Sequence, residues 1–141
     1  AGLGGDISED VGFDVGFIFY HFQNDTDNDF LEIQGALTVY GVTVGLNYAD
    51  EFGDGGPRNL YTHAEYSYAF TDNLSLDLHA GYTDTDEHDF WEDGEDSYGD
   101  WSIGLGASLV GLDLSLAYVD TTLDELDIYD DRVIFTIARR F

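Results

Sequence analysis

Trp101-Ser-Ile-Gly-Leu-Gly-Ala-Ser-Leu109, then Val110-Gly111, then Leu112-Asp-Leu-Ser-Leu-Ala-Tyr118 is the stretch on which the fold turns. Alternate residues are apolar and mostly bulky: Trp101, Ile103, Leu105, Ala107 and Leu109, then Leu112, Leu114, Leu116 and Tyr118. Between them stand Ser102, Gly104, Gly106, Ser108, Asp113, Ser115 and Ala117. A period of two is the mark of a β-strand with two unlike faces. Val110-Gly111 between two such runs reads as a tight hairpin turn. One face is bulky and apolar, and the other is dominated by small residues. A soluble barrel inverts this arrangement, filling its inside with bulky groups.

The same period spreads outward from this hairpin. It recurs over 11–20, 31–39, 42–49, 60–70, 74–82 and 133–141, which makes eight strands in all. Their lengths are close to the ~9–11 residues with which a tilted strand crosses a bilayer. The connections alternate between long and short. Long ones span 23–29, 49–59, 83–99 and 120–131; short ones centre on Tyr40-Gly41, Thr71-Asp72-Asn73 and Val110-Gly111. Short turns on one side and long loops on the other are the pattern of outer-membrane barrels. Aromatics stand near strand ends at Phe19, Tyr48, Tyr82, Trp101, Tyr118 and Phe141, where interfacial girdles belong. The expectation is an all-β, antiparallel up-and-down transmembrane β-barrel forming a single domain over 1–141.

Composition narrows the function. The net charge is −26, from thirty acidic residues against four Arg and Lys, so nucleic acid is excluded as a partner. Hydrophobic residues make up 43% and aromatics 16%, too many for a disordered acidic chain. There is no cysteine, which removes disulfides and thiolate metal sites. No apolar run approaches the ~18 residues of a membrane helix. Twenty of the thirty acids fall in the four long connections, as expected if charge is driven out of a lipid band.

The small-residue face carries Asp14, Glu32, His63, Glu65, Asp77, His79 and Arg132, which are the candidates for lining a lumen. His63 with Glu65, and Asp77 with His79, share a face on consecutive strands and could form an acid–base cluster. Charges that line a lumen pair with one another or with water, so this reading is of lining residues and of a protein that is not an enzyme. No phosphate-cradling loop or cofactor fingerprint is present. Asp25, Asp27 and Asp29 have the alternating spacing of part of a calcium loop but lack its Gly and distal Glu. Solvated loop acids account for this spacing, and loop-bound Ca²⁺ is the alternative.

The segments Asp14–Tyr20, Asn73–Tyr82, Asp100–Gly106, Gly111–Asp120 and Asp131–Phe141 resemble the middle and C-terminal parts of the TorF-type porin family. The terminal Phe141 is similar to the aromatic C-terminus through which the outer-membrane assembly machinery recognises its barrels. The resemblance implies a Gram-negative outer membrane, the lipid bilayer as partner and a porin for passive diffusion of small solutes. An acid-rich mouth would make such a pore prefer cations. Family members carry further N-terminal strands, so the likeness implies a barrel of about twelve strands of which this chain supplies eight. A complete eight-stranded barrel is the alternative, and Ala1–Ser8 reads as the end of a preceding strand with its turn. A rival function is a structural or interaction barrel without an open pore, whose acidic loops bind neighbours or divalent cations; oligomer formation is open under either.

Overall fold

The computed structural model describes residues 1–23, 28–53, 55–91, 94–127 and 129–139. Among them, nine strands form one sheet: β1 (Gly2–Ser8), β2 (Val11–Tyr20), β3 (Phe30–Val39), β4 (Val42–Ala49), β5 (Asn59–Thr71), β6 (Leu74–Thr85), β7 (Ser97–Leu109), β8 (Leu112–Thr121) and β9 (Arg132–Arg139). They lie side by side in chain order, each antiparallel to its neighbours. The sheet is open, with β1 and β9 as its unjoined edges.

The all-β, up-and-down order agrees with the reading of the sequence, but the strand count does not: there are nine strands rather than eight. The extra one is β1, which pairs with β2 from Gly2↔Gly16 to Ser8↔Val11. Ladder hydrogen bonds use only backbone groups. A strand that opens Gly-Leu-Gly-Gly can therefore form without the apolar alternation that betrays the others. The long connections are 21–29, 50–58, 86–96 and 122–131, and the short ones are two residues each. The third long connection is shorter than expected because β6 runs on to Thr85 and β7 begins at Ser97.

Register keeps the two faces apart across the sheet. Tyr68, Leu76, Leu105, Leu116 and Phe135 are successive cross-strand partners on one face. Thr43, Glu65, His79, Ser102, Val119 and Arg132 are successive partners on the other. A slip of one residue at any strand would exchange its faces; from β2 to β9 the register shifts at one place, between Ala69 and Thr71 beside the short turn, and the pairing beyond it is unbroken.

Exposure follows these faces in the opposite sense to a water-soluble fold. Val44 is 56% exposed, Leu105 50% and Phe135 61%, while Gly45 and Gly104 beside them are buried. Among the described residues the buried apolar side chains are Ala49, Pro57 and Leu123, and no large side chain is fully buried. The sheet thus has no internal hydrophobic core. Its apolar groups form one exposed face.

Two of the short turns are alike. Tyr40-Gly41 and Val110-Gly111 each have positive φ at both residues, 50° and 82° in the first and 52° and 76° in the second. That is the tight turn whose twist suits a two-residue hairpin. Glycine meets the demand at its position, but a β-branched side chain at positive φ is strained by about 1–2 kcal/mol. Val110 is also wholly exposed, so no packing offsets that strain. Val110→Asn is expected to raise the unfolding free energy by about 1 kcal/mol in a denaturant titration. An unchanged or lowered value would contradict this turn geometry.

Candidate polar face and its charged cluster

The polar face is knitted by side chains that reach across strands. Asn47 donates to Glu32 at 2.9 Å, and the Thr38 and Thr43 hydroxyls are 2.8 Å apart. Ser67 and Ser75 both donate to Asp77, and Ser108 donates to Asp113 at 2.7 Å. These pairs sit on neighbouring strands or within two residues on one strand, as the period of two requires.

At the middle of the face lies a denser cluster. His79 Nε2 is 2.9 Å from Asp100 Oδ1 and 2.8 Å from the Tyr61 hydroxyl, while His79 Nδ1 is 3.3 Å from Glu65 Oε1. Tyr61 also donates to Asp100 at 3.3 Å. The rings of Tyr61, His63 and His79 are stacked, with centroids 5.4 to 6.4 Å apart. His63 Nδ1 is buried without a hydrogen-bond partner.

Two glycines make room for this cluster. A Cβ on Gly81 would fall 2.2 Å from the Tyr61 hydroxyl and 2.5 Å from Asp100 Oδ2. A Cβ on Gly45 would fall 2.5 Å from the His63 ring. The cross-strand pairs His63↔Gly81 and Gly45↔His63 set the His63 ring between two residues with no side chain.

Of the residues expected on this face, the structure brings Glu65, His63 and His79 together and places Asp77 lower down, bound to serines. Glu32 stands apart with Asn47, and Arg132 lies near the long-loop end, donating to the Asp127 carbonyl. Asp14 faces an acidic groove of about 500 Å³ with Asp6, Glu9 and Asp10 at the short-turn end. Asp100 and Tyr61 are the members that the sequence reading passed over. Asp100 had been counted just outside its strand, and an aromatic residue carries no charge to draw notice. The signal was available, since each stands two residues before a face member, Ser102 and His63.

By register the strand residues of this face include seven carboxylates: Asp6, Asp14, Glu32, Glu65, Asp77, Asp100 and Asp113. Arg132 is the one Arg or Lys among its described residues. Of the loop trio, Asp25 and Asp27 lie outside the described residues, as does Phe141. Asp29 is engaged within the chain, pairing with His21 Nδ1 at 2.8 Å and accepting the Phe22 N–H. The His21 hydrogen bond, and then that of Phe22, hold its carboxyl below the ordinary range. Among the described residues no group of three or more His, Asp or Glu side chains is arranged to hold a metal ion.

The long-loop end of the face is covered by aromatic rings. Tyr20 stacks on Phe30 at 4.5 Å, Phe30 meets Phe52 at 5.0 Å, and Phe52 meets Phe90 and Trp91. Trp91 in turn meets Tyr98 at 4.8 Å. This row ties two long connections, 50–58 and 86–96, to β2, β3 and β7. Buried Ala49, Asn59, Thr83 and Thr85 lie at the same end of the sheet.

A family model described as "Bacterial protein of unknown function (Gcw_chp)" matches residues 1–141. No curated protein and no solved structure matches the chain.

If close approach at glycine builds the cluster, Gly81→Ala must disturb it. The backbone there cannot yield without moving Tyr61 and Asp100, and overpacking of this kind costs about 1–3 kcal/mol. Gly12→Ala, on the same face with its nearest neighbour at 3.5 Å, is the control. Denaturant titration should find Gly81→Ala destabilised and Gly12→Ala nearly neutral. Equal stability of the two would count against the crowding.

Proposed function

The chain belongs to the Gcw_chp family of bacterial proteins of unknown function, and from its own chemistry we propose that it is an outer-membrane β-barrel through which small solutes, cations preferentially, diffuse passively. The observation that carries this reading is the inverted distribution of side chains. An exposed apolar surface running over many strands needs a non-aqueous medium, whereas its small and polar counterpart suits a watery lumen.

Other features support the same reading. Six of the nine strands have 10–13 residues, enough to reach the ~9–11 with which a tilted strand crosses a lipid core. On the apolar face Phe19, Tyr48, Tyr82 and Trp101 stand toward the long loops, with Tyr68 and Phe70 toward the short turns, as two interfacial girdles would. The likeness to TorF-type porins points the same way, with Phe141 as the signal read by the assembly machinery. A barrel also requires partners for both sheet edges, because unpaired backbone groups are not tolerated in lipid. β1 and β9 run in the same direction, so a direct seam between them would be parallel. An all-antiparallel seam takes an odd number of intervening strands.

Cation preference follows from the seven carboxylates on the polar face and the acidic loops around its mouth. Rings of one charge select by sign. The cluster around His79 then serves as lining, and the protein performs no covalent chemistry. A second reading is favoured by one observation, the aromatic row across the long-loop end: a structural or interaction barrel with no open pore.

Reversal potential in a planar bilayer under a KCl gradient separates these outcomes. The expected result is a cation-selective conductance whose preference weakens as salt rises, since exposed charges are screened over about 10 Å at 0.1 M. Anion selectivity would overturn the charge reading. Absence of conductance would favour the closed barrel.

A further inference from the structure

Two cavities on the polar face meet at a single side chain. One, of about 340 Å³, lies toward the short turns and is lined by Thr43, Glu65, Ser67, Asp77 and His79. The other, of about 350 Å³, lies toward the long connection 122–131 and is lined by Asp100, Ser102, Thr121, Arg132 and His79. His79 is the residue they share, with Glu65 on the first side of its ring and Asp100 on the second.

The ring is held in that position from both ends. Glu65 engages Nδ1, and Asp100 together with Tyr61 engages Nε2. The stacked rings of Tyr61 and His63 lie together beside it. A histidine bonded at one nitrogen could rotate about the remaining torsions, but bonds at both nitrogens fix its plane. The outcome is a fixed partition with a carboxylate on each side. A small cation that leaves Glu65 meets Asp100 next, whereas an anion meets like charge on both sides of the ring.

We propose that His79 is the septum of this passage and its specificity-determining residue, with Glu65 and Asp100 as the paired carboxylates that hand small cations past it. The proposal rests on the reading of the chain as a conduit. It adds where along the face selection is sharpest, at mid-strand, inside the acidic loops.

Single-channel conductance and reversal potential in planar bilayers test it, using the intact chain with K⁺ and Cl⁻ as the probes. His79→Ala should raise conductance by joining the two cavities. His79→Phe, which keeps the bulk of the ring, should leave conductance low. Glu65→Gln and Asp100→Asn should each move the reversal potential toward zero. Circular dichroism identifies any variant that does not fold, and the two carboxylate variants then carry the test if His79→Ala is among those. Wild-type conductance with all four variants unchanged would overturn the septum while leaving the conduit intact. A wild-type protein that does not conduct would overturn the conduit, and the septum with it.

Discussion

An apolar face with nothing packed on it is the constraint from which the other features follow. Each large apolar side chain gains about 1.5–3 kcal/mol on leaving water. A face bearing Val15, Phe17, Ile33, Val44, Leu105, Leu116 and Phe135 in exposed positions cannot stay wet in a stable protein. With only Ala49, Pro57 and Leu123 as buried apolar side chains among the described residues, the chain does not cover that face itself. If lipid covers it, the remaining features have one cause. Charge retreats to the connections and to the opposite face, and every strand must keep register to hold the faces apart.

The same constraint explains the polar face. Without bulky groups to fill it, its stability rests on cross-strand hydrogen bonds such as Asn47 to Glu32 and the serines around Asp77. Polar groups held away from bulk water are costly unless paired, and most of these are paired with one another. At two positions glycine makes room for large groups on this face. Gly45 faces His63, and Gly81 stands beneath Tyr61 and Asp100, so the cluster around His79 is built as much by missing side chains as by those present.

Much of this was legible in the sequence, and the reasons are physical. Apolar groups at every second position identified eight strands and both faces, because lipid or core contact imposes that period on side chains. Glu65, His63 and His79 were placed on one face by counting alone. β1 was not recognised as a full strand because its pairing uses backbone atoms that Gly2, Gly4 and Gly5 leave unmarked. The upper part of β7 was hidden among acidic residues that resemble a loop, and Asp100 was hidden with it. The aromatic row from Tyr20 to Tyr98 joins residues far apart in the chain, and periodicity holds no information about such contacts. Nor does alternation distinguish an open sheet from a closed barrel, since both have the same local period.

The most direct measurement is the folding free energy, in lipid bilayers, of one cation placed on each face. Leu105 and Thr136 lie on adjacent rows of the sheet, the first apolar and the second polar. Leu105→Arg should lose about 2–4 kcal/mol, the cost of a cation near the bilayer midplane. Thr136→Arg should change little, because its face is wet. A neutral Leu105→Arg, or equal losses for the two, would contradict a lipid-facing apolar surface.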